Sequence, residues 1–97
     1  MKAVQLLRRI LNQGDIRVEM VVWLIPKATP DRPHRLKYRL YCGRSGECVV
    51  RYDNESGKGD HRHYGEQEEI YSFVSLPKLI EDFKHDCARL TGWRWGE

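Results

Sequence analysis

A chain of 97 residues with 40% hydrophobic and 32% charged side chains has the composition of one globular domain, spanning 1–97, with enough apolar material for a single core and too little for a second. No window approaches the roughly 18 consecutive apolar residues of a membrane span, and the first residues lack the apolar run of a signal peptide, so the expected location is the cytoplasm. The net charge of +3 is mild but uneven. Residues 32–63 carry eight Lys/Arg against four acids, whereas residues 66–86 carry six acids against Lys78 and Lys84, so one side of the protein should attract anions.

The first dozen residues are ambiguous. Ala3, Leu6, Leu7, Ile10 and Leu11 match a helical face, but Asn12-Gln13-Gly14-Asp15 is a plausible hairpin turn, which would make the same segment a strand. Ile16–Ile25 is apolar and rich in β-branched residues, and Pro26 stops it; this is the candidate central strand. Lys27–Pro33, with prolines at 30 and 33, reads as a connection. From Arg35 the pattern alternates with period two: Leu36, Tyr38, Leu40 and Cys42 point one way, and Arg35, Lys37, Arg39 and Tyr41 the other. A Gly-Arg-Ser-Gly turn follows, and Cys48, Val50 and Tyr52 alternate against Val49, Arg51 and Asp53 in a second strand. The resulting hairpin gathers Arg35, Lys37, Arg39 and Arg51 on its outer face. Cys42 and Cys48 flank the turn, where a disulfide is possible, although three cysteines without a CxxC pair read as reduced core residues.

Glu69–Val74 can add a short strand. The helix after it is clearer: Ser75 is an N-cap, Pro77 lies in the first turn, Leu76, Leu79, Ile80, Phe83, Cys87 and Leu90 form an apolar stripe, and Gly92 ends it. Trp93 and Trp95 imply burial against the body or against a partner. The predicted architecture is α+β, an antiparallel sheet of four or five strands with the C-terminal helix packed on one face.

The segment Gly57–Gly65 (GKGDHRHYG) concentrates titratable groups in a way that no packing argument requires. In an extended chain His61 and His63 project to the same side and Arg62 to the other. Two imidazoles can serve as base and acid near neutrality. Lys58, Arg62 and the flexible Gly57 and Gly59 suit a phosphate, and Asp60 could orient a histidine. Together they contain what metal-independent RNA cleavage needs: a base for the 2′-hydroxyl, an acid for the 5′-oxygen and cations for the transition state. His61, His63, Lys58, Arg62 and Asp60 are therefore the candidate catalytic residues, and Arg35, Lys37, Arg39, Arg51 and Tyr41 the candidate RNA-binding residues. A metal reading uses His61, His63 and Asp60, but the neighbouring positive charge of Lys58 and Arg62 argues against it, so no metal and no cofactor is assigned. The segment lacks the Walker spacing of a nucleoside triphosphate site.

Val18–Trp23, His34–Leu40 and Arg51–Glu55 leading into Gly57–His63, with the closing Ser75–Phe83 helix, resemble the TumE-type toxins of bacterial toxin–antitoxin pairs. The resemblance covers nearly the whole chain, and its specific part is the YDN…GKGDHRH signature. It implies a small cytoplasmic toxin paired with an antitoxin that carries a helix-turn-helix DNA-binding domain. Beside the ribonuclease stands a reading from another class, a non-catalytic module whose basic face docks nucleic acid or an acidic protein partner.

Overall fold

The computed structural model describes residues 2–55 and 57–96. Among them six strands form one antiparallel sheet in chain order: β1 (Val4–Gln13), β2 (Ile16–Leu24), β3 (Leu36–Arg44), β4 (Glu47–Asp53), β5 (His61–Tyr64) and β6 (Gln67–Ile70). A single helix, α1 (Leu76–Thr91), packs across β3 and β4 on one face, called inner here.

The α+β class agrees with expectation, but the sheet has six strands rather than four or five. The extra strand comes from the polar segment, which is not a loop: after a turn at Gly57–Asp60 the chain pairs along β4, reverses at Gly65–Glu66 and returns as β6. The sixth element therefore starts earlier than the expected strand at Glu69–Val74, and residues 71–75 approach the helix without pairing.

The ambiguous N-terminal segment is a strand, joined to β2 through the Gly14–Asp15 turn, where Gly14 has φ +57°. Its helical appearance has a local cause. The pairing with β2 slips between Gln5 and Leu7, so one extra residue is inserted and the alternation changes phase. Leu7 and Leu11 then fall on the inner face and pack against the core, while Leu6 and Ile10 stay exposed.

Strands β2 to β4 alternate as expected except at Cys48: the β3–β4 register shifts between Cys42 and Gly43, which puts Cys48 opposite Gly43 and out of phase with Val50 and Tyr52. Val18, Met20, Val22, Leu36, Tyr38, Leu40, Cys42, Val50 and Tyr52 are buried on the inner face against Leu79, Phe83 and Cys87 of α1. All three cysteines are free; Cys42 faces Cys87 in the core, while Cys48 lies across from Gly43, so the turn carries no disulfide. The helix ends match expectation: the Ser75 hydroxyl accepts from the Lys78 N–H at 3.2 Å, and Gly92, at φ 77°, closes the last turn. Trp93 is buried, and the Trp95 indole donates to the Lys84 carbonyl at 2.9 Å, so both tryptophans pack on the chain's own body.

Asp86 was hidden within the helix pattern. It is buried beneath the sheet and accepts hydrogen bonds from the hydroxyls of Tyr52 and Tyr64, each at 2.6 Å, and from Arg89 at 3.0 Å. Burial alone would raise its pKa, but the hydrogen bonds from Tyr52, Tyr64 and Arg89 outweigh it and hold the carboxyl below its ordinary value. Asp86→Ala would leave two shielded hydroxyls without an acceptor and should cost about 2–4 kcal/mol, read as a lower urea midpoint. Because the folded pKa is depressed, Asp86 contributes its full stabilisation above the unfolded value of about 4 and loses it as pH falls through the folded pKa. Acid titration of the wild type and Asp86→Ala should show their stabilities converging below about pH 4.

Candidate active site

Antiparallel pairing puts directly opposed residues on the same face. One row across the outer face runs Glu19, Tyr41, Arg51, His63, Glu68, and the next runs Val21, Arg39, Asp53, His61, Ile70. The histidine pair and the basic side of the β3–β4 hairpin therefore share one surface. The helix covers the opposite face; on this one Asp53 and His61 are buried, while His63 and Arg51 are partly exposed.

The centre of the surface is a tight cluster. His61 Nδ1–H donates to the Gly59 carbonyl at 2.9 Å, and His61 Nε2 lies 2.5 Å from Asp53 Oδ1. That second contact lacks the alignment of a hydrogen bond, and Asp53 Oδ1 has no other partner. Asp53 Oδ2 accepts from Arg51 Nε at 2.7 Å. The His63 ring sits edge-on to His61, with centroids 5.0 Å apart, and its Nε2 is shielded from solvent without a partner. Burial first, then the positive charge of Arg51, lowers the His63 pKa, which keeps its ring neutral at physiological pH. Glu68 Oε1 stands 3.7 Å from His61 Nε2 at the exposed margin.

Beside the cluster lies a cavity of about 260 Å³, lined by Val21, Trp23, Lys37, Arg39 and Asp53 among others. Arg39 extends over the Tyr41 ring at 5.1 Å and lies 3.7 Å from Glu19. An aromatic wall next to two cations is suited to a nucleobase with its phosphate.

The structure separates residues that the sequence placed together. His61 and His63 are adjacent, and Lys37, Arg39, Tyr41 and Arg51 share their face. Arg35 does not continue that row: it precedes β3 with φ 65°, and its Nε donates to the Ile25 carbonyl at 3.1 Å. Lys58 is exposed on the turn before β5. Arg62 turns inward, bonds the Tyr52 hydroxyl at 3.2 Å and Glu69 at 2.5 Å, and lies within 6 Å of the Tyr52, Tyr64 and Tyr71 ring centroids. Asp60 does not reach His61 or His63. It receives His34 Nε2–H at 3.0 Å and the Tyr38 hydroxyl at 2.6 Å, on the inner side. The carboxylate beside the histidines is Asp53, which sequence reasoning left among ordinary strand residues. Its signal lay in parity, since it shares the phase of Arg51, and in the Tyr52-Asp53-Asn54 string.

Each residue of that string has a separate task. Tyr52 reaches inward to Asp86 and Asp53 outward to the cluster. Asn54, fully buried, substitutes for a strand partner: its Oδ1 accepts the Tyr38 N–H at 3.0 Å and its Nδ2 donates to the Leu36 carbonyl at 2.7 Å. Its own carbonyl accepts two bonds from Arg32, at 3.0 and 2.7 Å.

Asp60 is thus a positioning residue, since it pins the turn whose Gly59 carbonyl holds the His61 ring. Asp60→Ala would strand the Tyr38 hydroxyl and His34 Nε2–H, cost about 1–3 kcal/mol and shift the urea midpoint down. It should also speed amide exchange in β5 more than in β2, because the lost contacts tether only the turn before β5.

The family model described as Toxin TumE matches residues 3–91. No curated protein and no solved structure matches the chain. No helix among the described residues is long and apolar enough to cross a membrane. The family match takes in all six strands and the helix, including the Tyr52–Asn54 string and the Gly57–His63 segment that build the outer-face cluster; the chain belongs to the TumE toxin family, and a toxin of this kind implies an antitoxin partner.

Proposed function

We propose that this toxin acts on RNA as an endoribonuclease, with the Asp53–His61–His63 cluster as its reacting centre. The observation that supports this most is the shared face: the histidines lie in the same two rows as Arg39 and Arg51, with Lys37 and Trp23 bordering the adjoining cavity. A phosphodiester drawn to the cations arrives over the cluster, and the cavity offers an aromatic surface to a neighbouring base. Lys58, on the turn before β5, adds a cation on approach. Arg62 and Asp60 move out of the catalytic list in this reading; they hold the strand and the turn that carry the histidines. The toxin works as a single domain in the cytoplasm, and its antitoxin carries a helix-turn-helix domain, as the family resemblance implies.

Metal-free acid–base catalysis by the two histidines requires ring nitrogens open to the substrate. Here His61 Nδ1 is bound to Gly59, His61 Nε2 faces Asp53, and His63 Nε2 is covered. Held this way, these three nitrogens do not offer a free base and a free acid together. The same shielding favours a second reading, in which the face binds nucleic acid without cutting it.

His63→Ala separates the two. The ribonuclease reading expects loss of cleavage of purified total RNA by about 100-fold or more, with the circular dichroism spectrum and RNA affinity retained. An RNA-binding wild type that cuts nothing, with or without added divalent cations, would leave the binding module. In either case Arg39→Ala should weaken RNA binding and reduce the slope of log affinity against log salt by roughly 0.7, the contribution of one phosphate contact on a single strand. Arg62→Ala, by contrast, should lower the urea midpoint, since it removes a cation from among three tyrosine rings.

A further inference from the structure

Three ligand-type atoms in the outer-face cluster are left over by the protein's own hydrogen bonding. Asp53 Oδ1 and His63 Nε2 are shielded from water and have no partner, although shielded polar atoms in folded proteins are nearly always paired. His61 Nδ1–H is committed to the Gly59 carbonyl, which fixes the tautomer and leaves Nε2 without a hydrogen, 2.5 Å from Asp53 Oδ1. Two electron-rich atoms at that separation require something positive between or beside them. A second proton on His61 would serve Asp53 but leave His63 Nε2 bare. A cation serves all three at once.

We propose that Asp53, His61 and His63 bind one divalent transition-metal ion, through Asp53 Oδ1 and Nε2 of both histidines. One ligand-type atom from each of the three residues lies within 4.8 Å of the other two, close enough for a single ion to gather them. For two of the three ligands the supporting contacts follow the pattern of metal centres, where the atom that does not bind the metal is tied down. The Gly59 carbonyl holds the far nitrogen of His61, and Arg51 Nε holds the far oxygen of Asp53 at 2.7 Å. Glu68 Oε1, 3.7 Å from His61 Nε2 and on the exposed side, is placed to close the set as a second carboxylate. Two imidazoles with carboxylates suit zinc or manganese and disfavour calcium or magnesium, which take oxygen ligands.

The positive charge that argued against a metal in the sequence is differently placed in the fold. Arg62 faces the helix, and Lys58 is on the exposed turn. Arg51, the one cation in contact with the cluster among the described residues, is engaged by Asp53 Oδ2 and leaves Oδ1 to other partners. With Asp53 and Glu68 the cluster has two carboxylates against that single guanidinium, a balance that favours a divalent ion. The binding claim stands apart from the ribonuclease reading; only the use of the ion on a phosphodiester rests on it.

The test is titration of chelator-stripped full-length protein with zinc sulfate or manganese chloride, followed by isothermal calorimetry and by competition with a chromophoric chelator. The wild type is expected to bind one ion per chain. His63→Ala and Asp53→Ala should weaken that binding by about 100-fold, and Glu68→Gln by about tenfold. All are made in a Cys48→Ser background, so that the partly exposed thiol cannot supply the site. Since Asp53→Ala removes a buried carboxylate and could unfold the chain, His63→Ala, at a partly exposed position, and Glu68→Gln, at an exposed one, carry the result without it. Absence of saturable one-to-one binding, or equal affinity in wild type and His63→Ala, overturns the site whether or not RNA is cut. Binding that depends on these residues without RNA cleavage upholds the site and removes the ribonuclease reading instead.

Discussion

The pairing of β4 with β5 is the constraint on which the candidate site depends. It sets Asp53 opposite His61 and Arg51 opposite His63. Strand side chains have a period of two, so a slip of one residue would exchange the faces of β5, bringing Arg62 and Tyr64 to the outer surface and sending both histidines toward the helix. The register is held at both ends. Tyr64, opposite Val50, is anchored through its hydroxyl to Asp86, and at the other end Asp60 ties the incoming turn to His34 and Tyr38. Few of these anchors touch the outer cluster, yet each one decides where its atoms lie.

The charged residues divide by face. On the inner face they are satisfied within the fold: Asp86 by two tyrosines and Arg89, Arg62 by Tyr52 and Glu69, and Asp60 by His34 and Tyr38. Burial and the Asp86 carboxylate push the Tyr52 hydroxyl far above the ordinary tyrosine value, which favours its donor form. Removing one partner of such a group costs more than the pair contributes, because the other is left shielded and bare. On the outer face the pattern reverses. Arg39 remains half-exposed with a distant acid, and the central carboxylate and imidazole atoms have more electron density than donors.

The turn from Gly57 to Asp60 links the two faces. The Gly57 N–H donates to Asp31 at 2.7 Å, which attaches the turn to the proline-flanked connection, and Asp60 attaches it to the inner side. Gly59, at φ +73°, adopts a backbone conformation that side-chain-bearing residues rarely take, and its carbonyl meets His61 from there. The glycines expected to wrap a phosphate instead shape a turn that holds an imidazole. The Gly57 N–H and the Asp60 carboxylate are thus engaged inside the protein, whereas the Lys58 side chain stays exposed.

Much of the fold follows from local pattern. The alternation in β2 to β4, the turns and the capped amphipathic helix are set by residue spacing, because each element buries one face and its period shows which. The coincidence of His61 and His63 on one side, and of Lys37, Arg39 and Arg51 on one side, follows from the same parity. What the tertiary structure decided is how those separate parities align across strands distant in sequence. Whether the histidines and the arginines share a face depends on the β4–β5 register, and that register is held by Asp86, Asp60 and Asn54, whose partners, Arg89 apart, lie six to 34 residues away along the chain. The bulge at Leu6 likewise belongs to the pairing with β2, so the N-terminal segment could not be assigned from its own periodicity. Asp53 replaced Asp60 beside the histidines for the same reason: proximity in sequence favoured Asp60, and antiparallel pairing brought Asp53.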